Sequence, residues 1–257
     1  MSDAVSSFGL DELRQTLMQL SPARSEETIA QNLHLIGEIS QPRTVLALLD
    51  EVLTSPARLA SIADLSYHHV NHFDKIVLID SDSPTGYRLT LHLWQPPYSA
   101  EELDDEIIHS HRFSFWSAIL TGTLVSENFD AADEGLPFRK YSYVPEKTTK
   151  INFYEFGGEA FLAPTANTDQ AAGTAYYLPY EQIHRVVLPR EEMTCTLVLR
   201  GPRERNHSDV YNTSYPATDT QTANHTFSSE ELAAKLLALR SRVEAGAGVA
   251  VTGEQGR

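Results

Sequence analysis

Apolar residues at intervals of three and four run through the first 65 residues of the chain. Leu10, Leu13, Leu17 and Leu20 form one such stripe, and Ile29, Leu33 and Ile36 form a second. Ser25 followed by Glu26 and Glu27 supplies the cap and the acidic first turn that open the second helix. Val45, Leu48, Leu49, Val52 and Leu53 predict a third helix. Ser55-Pro56 places a cap and a first-turn proline ahead of a fourth, which ends near Asp64. Near residue 70 the period drops to two. Segments at 73–80, 86–94, 107–115, 117–126, 150–156, 174–178, 183–188 and 193–200 are short and rich in β-branched or aromatic residues. Turn residues such as Ser83-Pro84 and Gly157-Gly158 separate them. Short strands in such succession predict a sandwich or barrel. From 203 to 227 no apolar periodicity is visible, which predicts a long polar loop. Ser228 and Glu231 then form a capping box ahead of a helix to about Val243, and the last residues read as a disordered tail. The predicted organisation is a helical segment (1–65) packed on a barrel (66–203), then a loop and helix (204–244) and a tail (245–257).

Composition narrows the choice of partners. The 257 residues carry 20 Lys+Arg against 35 Asp+Glu, a net charge of −15. Nucleic-acid affinity depends on clustered positive charge, so that class is excluded. No apolar run approaches the roughly 18 residues of a membrane span. A single cysteine, Cys195, cannot close an intramolecular disulfide, and the first residues lack a basic stretch followed by an apolar one. Together these features predict a cytoplasmic protein with a small-molecule substrate; a monomer and a homodimer both stay open. Cys195 reads as a small strand hydrophobe on the face opposite Thr196.

The chemistry sits in the histidines. His109-Ser-His111 lies in a strand-like run, where residues i and i+2 share a face and both imidazoles can reach one metal. Ten histidines in 257 positions yield about 0.4 such pairs by chance, so the pair alone is weak. Gly122 follows after a strand, and downstream come Gly173, Pro179, Glu181 and His184. That spacing describes a turn, a strand, another turn and a third histidine entering the next strand, enough for a one-face metal site.

These residues resemble the two motifs of the cupin superfamily. His109, His111 and Gly122 match the first, and Gly173, Pro179 and His184 match the second. Leu103 stands in place of the leading glycine, Phe115 in place of the glutamate ligand and Glu181 in place of the glycine after the proline. The resemblance implies a mainly β fold: a cupin double-stranded β-helix, or jelly-roll, barrel with N-terminal helices and a C-terminal helix. It further implies a metal held by three histidines. Within the superfamily the chain is most similar to the cysteine dioxygenase-like thiol dioxygenases. The carriers are the strand ending in Trp94 ahead of His-x-His and the Ile183-His184-Arg185-Val186 stretch. The resemblance spans roughly residues 65–203.

That resemblance implies Fe(II) as cofactor, with Zn, Ni, Mn and Cu as alternatives because imidazole alone does not choose the ion, and O2 as co-substrate. It implies a non-heme iron oxygenase acting on a small, anionic, thiol- or amino-acid-like metabolite. Three departures bear on it. The alternating Ser, His and Tyr of thiol dioxygenases correspond here to Thr196, Val198 and Arg200. Lys75 lies near the place of their carboxylate-binding arginine, and Trp116 near that of their crosslinked cysteine. Arg200 and Tyr154 are the candidate catalytic groups; Arg200 is either a pocket-wall guanidinium or a strand-end arginine facing water. Lys75, His92, Trp94, Phe113 and Thr196 are the candidate substrate contacts, with His92 equally readable as a core histidine and Phe113 as barrel core. Two other readings stand beside the oxygenase: a non-redox metal-dependent lyase or isomerase, and a non-catalytic small-molecule-binding cupin.

Overall fold

The computed structural model describes residues 8–81, 86–145, 152–214 and 226–253. Helices α1 (Leu10–Gln19), α2 (Glu26–Ile39), α3 (Pro42–Leu53) and α4 (Pro56–Ala63) follow the four apolar stripes. The Ser25 hydroxyl accepts from the Thr28 N–H at 3.2 Å, and the Ser55 hydroxyl caps α4. A short α5 (Ala100–Asp104) has its own capping box between Ser99 and Glu102. Helix α6 (Ser229–Gly253) opens on the expected box: the Ser228 N–H donates to Glu231 Oε2 (2.7 Å) and the Glu231 N–H to Ser228 Oγ (3.1 Å).

The strands are β1 (Tyr67–His69), β2 (Phe73–Ile79), β3 (Arg88–Trp94), β4 (Ile108–His109), β5 (Phe115–Thr121), β6 (Thr123–Ala132) and β7 (Leu136–Pro145). They continue as β8 (Asn152–Pro164), β9 (Thr168–Ala171), β10 (Ala175–Leu178), β11 (Ile183–Val187), β12 (Thr194–Arg200) and β13 (Ser208–Asn212). One antiparallel sheet has the order β1-β2-β3-β12-β5-β10, the other β11-β4-β13-β7-β8-β6-β9, with β11 also pairing with β6. Alternation assigns each strand of the first sheet two jobs. Leu89, Leu91, Leu93, Ala118, Cys195, Leu197 and Leu199 face outward and join one core with the buried residues of α1–α4 and α6. Phe73, Trp94 and Ile119 face inward and meet Leu124 and Leu188 from across the barrel, so the two sheets enclose an interior that is apolar at that end. The molecule is therefore mainly β, a double-stranded β-helix with N-terminal helices and a C-terminal helix on the outside of one sheet.

Several expectations need correction. The predicted strand 107–115 is only two residues long, because Ile107 takes a positive φ of 41° and the chain leaves the sheet after His109. The 117–126 segment is two strands. Gly122 turns between them at φ 71°, and a Cβ there would sit 2.4 Å from Thr194 Oγ1. Gly157-Gly158 is no turn: β8 runs through it with a register shift against Lys140 and Tyr141, a bulge inside a long hairpin. The 203–227 stretch contains β13, seated between β4 and β7. Its residues Ser208, Asp209 and Asn212 are buried although polar, and Asp209 is held there by hydrogen bonding and ion pairing, so hydrophobic periodicity misses it. Helix α6 extends ten residues beyond Val243, through part of the predicted tail. The Ser83-Pro84 turn, the start of the 150–156 strand and the last four residues of the tail lie outside the described residues. Among the described residues no helix is long and apolar enough to cross a membrane.

Candidate metal centre

Strand β4 delivers His109, the turn after it His111, and β11 His184, which is the register partner of His109. The ring centroids are 4.8 Å (His109–His111), 5.0 Å (His109–His184) and 5.1 Å (His111–His184) apart. One ligand nitrogen from each lies within 4.8 Å of the other two. That separation is near what one ion with bonds of about 2.1 Å spans. His109 Nδ1 donates to the Ile107 carbonyl at 2.8 Å, which turns Nε2 inward; the Asn71 amide lies 3.4 Å from Nε2. Both nitrogens of His184 and Nδ1 of His111 are buried with no hydrogen-bond partner. Buried imidazoles with idle nitrogens are costly unless something accepts their lone pairs, and a divalent ion does so. Burial lowers all three from the ordinary histidine range, His111 and His184 well below it with the neighbouring imidazoles acting in the same direction, and His109 less because its bond to the Ile107 carbonyl opposes the shift. Neutral rings are the ligand form.

A second group, His68, His72 and Glu102, also gathers ligand atoms within 4.8 Å. Its rings are already engaged, His68 Nδ1 with Asp74 Oδ1 at 3.0 Å and His72 Nε2 with Asp105 Oδ2 at 3.1 Å. In the three-histidine group, by contrast, His111 and His184 keep buried ring nitrogens without a partner.

Hydrogen bonds behind the ligands fix them. The Ser110 N–H donates to the Asp209 carbonyl (2.9 Å), and the Asp209 N–H donates back to Ser110 Oγ (3.1 Å). The Arg205 guanidinium donates to the His111 carbonyl (2.7 Å), to Asp209 Oδ2 (3.0 Å) and to Ser110 Oγ. The His111 N–H donates to the Tyr180 carbonyl at 3.0 Å, which joins the two ligand turns. Glu181, the departure from the second motif, accepts from Arg24 at 2.7 and 3.0 Å and ties that turn to the entry of α2.

The interior wall assembles most of the candidate substrate residues. Lys75, His92, Thr196 and Ile119 occupy one cross-strand row. His92 stacks on Phe73 at 4.4 Å and lies 3.2 Å from Thr90 Oγ1, and burial, then Lys75, keeps it well below its usual range. Trp94 packs on Phe73 at 5.0 Å with its Nε1 buried and unpartnered. Phe113 stands between His111 (5.9 Å) and the Arg200 guanidinium (5.3 Å). Phe115, at the acidic ligand position of the first motif, sets its ring edge against His111 at 5.0 Å. Arg200 is 6% exposed, which decides its two readings in favour of the wall. Burial, followed by Arg88 and Arg200, pushes the Lys75 ammonium down to about 7. Lys75 keeps some accessible surface, and it shares the inward face of β2 with Phe73 two residues before it.

Two candidates sit elsewhere. Tyr154 packs on Tyr143 at 5.2 Å, on a strand three places from β4 in the sheet order, about 14 Å across the strands. The structure does not bring it to the histidines. Trp116 points outward, donating to the Ile29 carbonyl at 3.0 Å, so it is no counterpart of a residue beside the metal. Cys195 is fully buried in the outer core, where burial pushes its thiol up, as its parity implied. Asn71, Arg112, Arg203 and Arg205 were not legible as site residues. The signal for Arg112 was its adjacency to His111; the others come from loops whose positions no periodicity specifies.

Strand order places one ligand on β4, one on the turn after it and the third on the partner strand β11. The fold is that of a double-stranded β-helix.

No family model matches the chain, and no curated protein is similar to it in sequence. Solved structures align at low similarity. One of DMSP lyases is 13% identical over 50% of this chain and 47% of that chain, with a TM-score of 0.29. Hydroxypropylphosphonic acid epoxidase from S. wedmorenis, in complex with fosfomycin, is 9% identical over 50% of this chain and 51% of that one, with a TM-score of 0.29. A cupin-2 domain protein from Shewanella frigidimarina is 15% identical over 51% and 82%, with a TM-score of 0.26. The match spans about half the length of the first two.

Proposed function

We propose that this protein is a non-heme Fe(II)-dependent oxygenase, dioxygenase-like, for a small anionic thiol- or amino-acid-like metabolite. The observation that carries the reading is the set of buried, unpartnered nitrogens on His184 and His111 beside the inward Nε2 of His109. Fe(II) held by them supplies one-electron redox chemistry toward O2. The protein's own groups do the rest. Three neutral ligands leave the ion's charge uncompensated, and Lys75 and Arg200 add to it, so an anionic substrate is drawn in. Arg200, fixed by its bond to the Gly86 carbonyl (2.9 Å), orients the anionic end of the substrate. His92, Trp94 and Thr196 line the wall beside it, and Phe73, Ile119, Leu124 and Leu188 exclude water from the closed end.

Lys75 favours a second reading. An amine titrating near 7 suits proton abstraction, the step a metal-dependent lyase or isomerase needs. Oxygen-electrode screening of thiols, amino acids and 2-oxo acids with iron-loaded protein separates the two. Substrate-dependent O2 uptake, lost in His184→Ala, is expected; turnover of the same substrate under argon would assign the lyase or isomerase chemistry instead.

A further inference from the structure

The interior of the barrel carries more positive charge than one substrate carboxylate requires. Arg88 and Arg200 are directly opposed on β3 and β12, a like-charged pair that costs stability where nothing lies between. Asp80 is hydrogen-bonded to only one of them, its Oδ1 accepting from Arg88 Nε at 2.6 Å, and it acts on Arg200 without a direct ion pair. Arg200 has one nitrogen on the Gly86 carbonyl and its plane over the Phe113 ring, while its Nε is buried without a partner. Arg203 Nε is buried without a partner as well. Arg112 follows His111 in the chain, and among the described residues no carboxylate pairs with Arg112, Arg200, Arg203 or Lys75. Lys75 and Arg200 lie close enough to Arg88 for that guanidinium to act on both, and Arg203 acts on Arg200, with Asp80 the one carboxylate that acts in the opposite direction. Idle, buried guanidinium donors are the mirror image of the idle imidazoles beside them. A monocarboxylate offers two oxygens and one charge. A phosphate or phosphonate monoester offers three terminal oxygens and a charge near −2, which matches several guanidinium forks at once.

We propose that Lys75, Arg200 and Arg203 form an anion subsite for a phosphate or phosphonate group on the same ligand whose other end reaches the three-histidine centre. This deepens the reading above and rests on it for the metal-binding end alone. Phe113, between His111 and Arg200, is the spacer that sets the distance between the two ends.

Isothermal titration of the full-length protein with inorganic phosphate tests the subsite apart from the metal. Phosphate is expected to bind near one equivalent and raise Tm, while acetate at equal ionic strength does neither. In His184→Ala, which lacks a ligand to the metal, phosphate binding is expected to persist. Arg200→Gln with Arg203→Gln is expected to weaken phosphate at least tenfold and leave metal stoichiometry at one; Lys75→Met, a milder change, weakens it severalfold. Equal phosphate affinity in the double variant, acetate matching phosphate, or phosphate binding that vanishes in His184→Ala while Tm is kept would each overturn the proposal. In the first two results the metal count stays at one, so the three-histidine reading stands.

Discussion

The two faces of the sheet β1-β2-β3-β12-β5-β10 are built from alternate residues of the same strands, yet they obey different rules. Outward, Leu89, Leu91 and Leu93 of β3 and Cys195, Leu197 and Leu199 of β12 are nearly inaccessible and pack under five helices. Inward, Thr90, His92, Thr196 and Arg200 bring polar and charged groups into the lumen. Each fully buried leucine contributes about 1.5–3 kcal/mol of transfer free energy. Each idle imidazole or guanidinium works in the opposite direction. A fold can carry such a face only where the opposite one is strongly stabilising.

That contrast is open to attack from both sides. Leu91→Ala removes a side chain 1% exposed from the outer face and is expected to cost about 2–5 kcal/mol in urea denaturation. Metal stoichiometry of the folded fraction should not change, and a loss of metal would mean that the faces are not separable. Arg205→Met removes the donor that holds the His111 carbonyl and Ser110. Supports of this kind are worth about 10- to 100-fold in metal affinity, which competition with a chelator measures. An unchanged affinity would make the network purely structural.

Lys75→Met gives the most specific effect, one confined to a window of pH. The folded chain holds the Lys75 proton with a pKa near 7, against an ordinary value of about 10.4 in the unfolded chain. Between those values the unfolded state binds more protons, so this lysine makes stability rise with pH from about 7 to about 10. The variant should be more stable than the parent at pH 7 and indistinguishable from it near pH 10 in phosphate-free buffer. A difference independent of pH would place Lys75 outside the buried cluster.

The same contrast explains what the sequence made legible. Aliphatic stripes have a period, so the helices, the helix caps at Ser25, Ser55 and Ser228, and most strands of the first sheet were readable. The three histidines were readable because their spacing repeats that of a known pair of motifs. Strand β13 was not, since Asp209 is buried by pairing with Arg205 and Lys140, which has no periodic signature. Arg112 and Arg203 flank strands without belonging to one, and Tyr154 was placed by residue type alone. Its position across the sheet follows from the β7–β8 hairpin, whose bulge shifts the register. Long-range pairing of this kind is invisible to local pattern.

The central claim is that His109, His111 and His184 hold one metal ion on the inward face while the outward face holds the fold. Metal analysis of freshly purified protein beside His184→Ala, with urea denaturation of both metal-free samples, tests it most directly. The account predicts about one equivalent of metal in the parent and less than a tenth in the variant. It also predicts metal-free unfolding free energies that agree to within about 1 kcal/mol, because the lost imidazole has no partner to leave behind. A parent that holds no metal, or a variant that keeps a full equivalent, would contradict it.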